Sequence, residues 1–194
     1  MWPLARRLRR EGYDARLWGY PGSRKPVEDH AATLAAYVQT IPGNGPIHFV
    51  GFSLGAIVTR FLLASSPLAR AGRFVMIGPP NHGCGKAEYL YRYRWFRWFY
   101  GDQSILQLFP SHKAFYKTVG TPPVEFGIIA GGKNDERGFL SGFGEDNDGT
   151  ITVASARLEG ARDFIVLPHW HTPLVWARDT QDQVTAFLKD GYFL

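Results

Sequence analysis

The chain has one cysteine, Cys84, in 194 residues, so no disulfide can close within it and no stapled scaffold is available. That cysteine usage is compatible with a reducing compartment. No run of about 18 apolar residues occurs, which argues against a membrane-spanning helix. The start, Met1 to Arg10, is basic but has no apolar stretch behind it, so it lacks the build of a secretory signal. A cytoplasmic location is the expectation. Repeats and low-complexity tracts are also missing. Lys and Arg number 22 against 17 Asp and Glu, a net charge of +5, and this excess is small enough to belong to an ordinary solvated surface. No nucleic-acid-binding signature accompanies it, and nucleic acid is not an expected partner.

What is present suits a single domain over residues 1–194. Hydrophobic residues make up 45% and charged residues 20%, enough apolar surface for one sizeable core. Leu4 and Leu8 share one face of a helix over residues 3–12, which Gly12 closes. Ala15 to Tyr20 reads as a strand, and residues 27–39 as a helix entered through Pro26. Apolar strands follow at 47–50, 74–77, 124–130 and 164–167, with helices at 54–65 and 179–189 between and after them. Strands alternating with helices predict a mostly parallel sheet covered on both faces. Residues 84–120 break the rhythm and read as an insertion.

Gly51-Phe52-Ser53-Leu54-Gly55 matches the G-x-S-x-G turn that lifts a serine Oγ above a sheet. The context fits, with an apolar strand before it and a helix after it. Serine is a weak nucleophile at neutral pH and needs a base, usually a histidine held by a carboxylate. Asp148 lies in an acidic loop after the strand that ends at Ala130, with Glu145 and Asp146 as rivals. His169 and His171 both follow the last strand. A His-x-His pair also suits a metal, but no third ligand stands at metal-site spacing. His30, His48, His82 and His112 have no comparable context. Phe52, Asn81 and His82 are expected to line the substrate pocket; a plain turn at 81–83 is the alternative.

Taken together, residues 50–55, Ile77-Gly78-Pro79-Pro80-Asn81-His82-Gly83 and Asp148-Gly149-Thr150-Ile151-Thr152-Val153 resemble the small bacterial lipases and esterases of the α/β-hydrolase superfamily. The segment from Asp148 through Glu159-Gly160-Ala161-Arg162 to His171 is similar to the C-terminal part of minimal triacylglycerol lipases. The resemblance covers nearly everything outside 84–120. It implies a three-layer αβα fold with Ser53 as nucleophile, Asp148 as acid and His171 as base. It implies no metal and no organic cofactor, and a small-molecule or lipid ester as substrate. Acyl transfer on the same three residues, or lipid binding without turnover, is the alternative.

An acyl-transfer site also needs donors for the oxyanion. The N–H of Leu54 is one. The second comes, in the resembling proteins, from a His-Gly loop after an earlier strand. No such strand and loop stand before the helix at 3–12, so the expectation is a fold truncated at its N-terminus, in a sequence that starts at an internal methionine. Residues 89–100 interleave Arg92, Arg94 and Arg97 with aromatics. They are expected to form part of a lid and to offer membrane-surface contact, or else to pack their aromatics inward with the arginines snorkelling out.

Overall fold

The structure is a computed structural model that describes residues 1–21, 24–66, 68–100 and 102–194, without the side chains of Phe96, Phe99 and Tyr100. Four strands, β1 (Ile47–Phe52), β2 (Ala71–Ile77), β3 (Phe126–Gly131) and β4 (Asp163–Leu167), form one parallel sheet in chain order. Helices α1 (Trp2–Arg10) and α2 (Val27–Gln39) precede β1, and α3 (Leu54–Ser65) joins β1 to β2. Between β2 and β3 lie α4 (Gly85–Tyr91), α5 (Arg94–Tyr100), α6 (Gln103–Gln107) and α7 (Lys113–Val119). A single turn, α8 (Val153–Ala156), precedes β4; another, α9 (His171–Leu174), and the long α10 (Arg178–Asp190) follow it.

The strand period of two sorts the core into two layers. Phe74 and Met76 of β2, with Ile128 of β3, face α2 and α3. Val75, Ile77 and Ile129 face the other way, against Leu4 and Leu8 of α1 and Val184 and Phe187 of α10. Both faces are therefore covered, and all six residues of β3 are buried. At Gly51 a Cβ would stand 2.5 Å from the Cα of Ala56, so α3 lies directly on β1 there. Because the clash would be with backbone, Gly51→Ala is expected to lose about 1–3 kcal/mol, read as a lower urea midpoint. A midpoint equal to that of the parent chain would contradict this packing.

One expected strand is not formed. Residues 15–20 make no ladder among the described residues, and β1 has one sheet partner, β2. A groove of about 520 Å³ separates the segment from β1, lined by Ala15, Trp18 and Tyr20 on one side and Ile47, Phe49 and Phe52 on the other. The aromatics of the segment also pack on one another and on α2: Trp18 lies 5.2 Å from Tyr20, and Tyr20 4.4 Å from His30 of α2. Side-chain packing has taken the segment where the ladder would have been.

The helices at 85–119 do not project as an arm. Ala87, Ile105, Phe115 and Val119 are buried in the same cluster as α3. Arg60 of α3, only 3% exposed, ties both feet of this segment to the core. Its Nε donates to the carbonyl of Gly120 at 2.7 Å, and its Nη1 donates to the side-chain and main-chain oxygens of Asn81 at 3.0 and 3.2 Å. Burial lowers the Arg60 guanidinium to about 10, so it remains charged at neutral pH. Tyr89, Tyr93, Trp95 and Trp98 stay exposed, and Arg92 lies over the rings of Tyr89 and Tyr93 at 3.8 and 4.8 Å. The expected surface role of 89–100 falls in part on Phe96, Phe99 and Tyr100, whose side chains lie outside the described residues. Among the described residues no helix is long and apolar enough to cross a membrane.

Candidate active site

At the end of β1 the chain turns abruptly into α3. Ser53 occupies the turn with φ 51° and ψ −123°, a conformation that costs a non-glycine residue on the order of 1–3 kcal/mol. Its N–H donates to the carbonyl of Ile77 at 2.9 Å, which holds the turn against β2. Ser53 is the residue that caps α3, yet its side chain makes no cap bond. The Oγ is turned instead to His171, 3.0 Å from Nε2. Leu54 opens α3, and its N–H has no hydrogen-bond partner among the described residues, as the first turn of a helix allows.

His171 begins α9 beyond β4, and its backbone N–H donates to the carbonyl of Asp148 at 2.8 Å. Its Nδ1 lies 2.6 Å from Asp148 Oδ2. An ionised carboxylate only accepts, so Nδ1 carries the proton and Nε2 presents a lone pair to Ser53. Asp148 is 1% exposed. Its Oδ1 accepts from the N–H groups of Thr150 and Ile151 at 2.9 and 2.7 Å, which leaves Oδ2 for the imidazole. Asn147 beside it is fully buried, and its Nδ2 donates to three carbonyls, those of Arg137, Leu140 and Glu145. The ring of Phe52 lies 5.0 Å from that of His171. Gly78 has φ +54°, and a Cβ there would come within 3.1 Å of the His171 ring; this position needs glycine for both conformation and space.

The rivals have other work. Asp146 accepts from the backbone N–H groups of Lys133 and Asn134, both at 2.8 Å. Glu145 is exposed, and only its carbonyl is used, by Asn147. His169 Nε2 pairs with Asp179, at 2.8 Å to Oδ2. The expectation that Asn81 lines the pocket is corrected: the residue is fully buried, bonded to Arg60 and, through Nδ2, to the carbonyl of Ala156 at 2.8 Å. Its polar atoms go to holding the segment after β2. His82 is exposed, and its backbone N–H donates to Ser155; no described contact joins its ring to Ser53 or His171. Cys84 offers no competing nucleophile, since burial pushes its thiol up to about 11. No group of His, Cys, Asp or Glu suited to a metal occurs among the described residues.

Sequence reasoning missed Gly78, Asn147 and Arg60. Gly78-Pro79-Pro80 reads as a strand stop, and nothing in it shows that an imidazole lies against the glycine. Asn147 is hidden in a polar run that looks solvated. Arg60 was the one signal in reach, a lone cation in the apolar stretch 56–63.

No family model and no curated protein matches the chain. Solved structures do. The mature lipase BlEst2 of Bacillus licheniformis is 23% identical with a TM-score of 0.70, over 88% of this chain and 75% of that one. The metagenomic carboxyl esterase MGS0156 is 20% identical with a TM-score of 0.62, over 78% of this chain and 53% of that one. The Pyrococcus furiosus esterase Pf2001 is 19% identical with a TM-score of 0.55, over 97% of this chain and 74% of that one. The chain thus spans three quarters of the first and about half of the second. A three-layer αβα arrangement with this parallel sheet, matched at these scores, is the α/β-hydrolase fold.

Proposed function

We propose that this α/β-hydrolase-fold chain is a serine hydrolase of carboxylic esters. The observation that carries the reading is the continuous row from Ser53 Oγ through His171 to Asp148, at 3.0 and 2.6 Å, set on a strained strand-to-helix turn. His171 Nε2 takes the Ser53 proton as Oγ attacks the ester carbonyl, and Asp148 steadies the imidazolium that forms. The negative charge on the tetrahedral oxygen falls to the open N–H of Leu54. His171 then gives its proton to the departing alcohol, and water hydrolyses the acyl-enzyme by the reverse exchange. Phe52, with its ring 5.0 Å from that of His171, walls the imidazole and lines the substrate pocket beside it.

The segment from α4 to α7 serves as a lid over the ester. Its exposed Trp95 and Trp98, with Tyr89 and Tyr93, offer an apolar surface to a long acyl chain or a lipid interface. That the similar structures belong to a lipase and two esterases supports the same substrate class.

The test is labelling of the purified chain with a fluorophosphonate, followed by peptide mapping. Label is expected on the peptide that carries Ser53, and heat-unfolded chain should take none. A folded chain that stays unlabelled, or carries label elsewhere, would sink the proposal.

A further inference from the structure

On the α1 and α10 side of the sheet lies an open cleft of about 560 Å³. Trp2, Arg6 and Arg10 of α1 line it, with Trp176 after α9 and Arg178 and Asp182 of α10. Asp182 is already engaged, 3.2 Å from Arg7, which also pairs with Glu11 at 3.1 Å. Arg6, Arg10 and Arg178 are exposed and have no carboxylate partner among the described residues. Trp2 and Trp176 are 62% and 57% exposed.

Stability does not account for this grouping. Arg6 and Arg10 stand four apart on one helix, where like charges repel. Arg10 suits the C-terminal end of α1, but Arg178 is the first residue of α10, the end at which a cation is disfavoured. Two tryptophans left in water forgo burial that their size would reward. Arg6 lies over the ring of Trp2 at 6.0 Å and Arg7 pairs with Asp182, which offsets only part of these costs; such costs gathered on one concavity mark a place shaped for something else.

We infer that this cleft binds a phosphate group, carried by a phospholipid headgroup or by a free phosphate ester. Guanidinium forks match phosphate oxygens two at a time and remain charged at any physiological pH. Tryptophans at the rim suit the level of lipid headgroups. Trp176 follows α9, which begins with His171, and Met1, beside Trp2, packs against the same core cluster as Phe52 does, one that includes Leu174. The cleft and Ser53 thus share a neighbourhood, although the binding does not depend on Ser53 chemistry.

The experiment is flotation of the chain with vesicles of diether phosphatidylglycerol in diether phosphatidylcholine, which contain no carboxylic ester to cleave, beside titration of tryptophan fluorescence with glycerol 3-phosphate. Two double variants are compared, Arg6→Glu with Arg178→Glu, and Lys25→Glu with Lys189→Glu, which change net charge equally. The cleft variant is expected to bind anionic vesicles at least about tenfold more weakly, and the control within about twofold of the parent chain. Vesicle binding with no response to glycerol 3-phosphate assigns the phosphate to a lipid; a response to both, lost in the cleft variant alone, assigns it to a free ester. Equal weakening in both variants, binding by the cleft variant within about twofold of the parent chain, or binding of single-stranded RNA alone would overturn the inference.

Discussion

Asp148→Asn is expected to lower turnover of an activated ester by roughly four orders of magnitude with the fold intact. The reason lies in how many donors the carboxylate serves. Oδ1 accepts two backbone N–H groups and Oδ2 faces His171 Nδ1. An asparagine must turn its single oxygen to the two backbone donors, since leaving both unpaired in a buried site costs about 1–3 kcal/mol each. Its NH2 then faces Nδ1, which has to accept. The imidazole proton moves to Nε2, and Ser53 loses its base. The reading to take is kcat against KM, with the thermal midpoint beside them. A large fall in kcat, little change in KM and a midpoint within a few degrees are expected. A fall of less than about tenfold would remove Asp148 from this role.

The largest loss of stability is expected at Arg60. Arg60→Met keeps much of the volume but strands the carbonyl of Gly120 and both oxygens of Asn81. Stranded buried acceptors cost about 1–3 kcal/mol each, and relief of the guanidinium's own desolvation offsets part of that, so a net loss of about 2–4 kcal/mol is expected. Arg60→Lys keeps the charge without the planar fork and should fall between the two. Urea unfolding distinguishes these outcomes. If Met matches the parent chain, the guanidinium is not what holds the two feet.

Much of the fold was legible because parallel strands buried on both faces have to be apolar runs. Residues 74–77 and 164–167 stand out for that reason, and the structure extends them only to 71–77 and 163–167. Helix 27–39 was legible at both ends, with Pro26 at its start. The segment 15–20 was not, because composition reports a preference for extended backbone and says nothing of which neighbour completes a ladder. Here the rings of Trp18 and Tyr20 settled the matter. At the site, chain order and the turn motif pointed to Ser53, and the structure places His171 and Asp148 beside it. The resemblance favoured His171 over His169 and Asp148 over Asp146, but the residues by themselves left both pairs open. Each rejected candidate forms a good hydrogen bond of its own, to Asp179 or to the loop at 133–134.

The mooring of Asn81 and Gly120 to a single guanidinium has a consequence for how such a protein diversifies. The two ends of the span 82–119 are held at a separation set by α3, whatever lies between them. The entropy of closing a loop grows only slowly with its length, by about 0.6 kcal/mol for each doubling. Insertions on the outer side of the span, away from the buried Ala87, Ile105, Phe115 and Val119, can therefore be accepted between the same two anchors without disturbing the sheet beneath. Mutation can rewrite that outer surface while the row from Ser53 through His171 to Asp148 stays untouched.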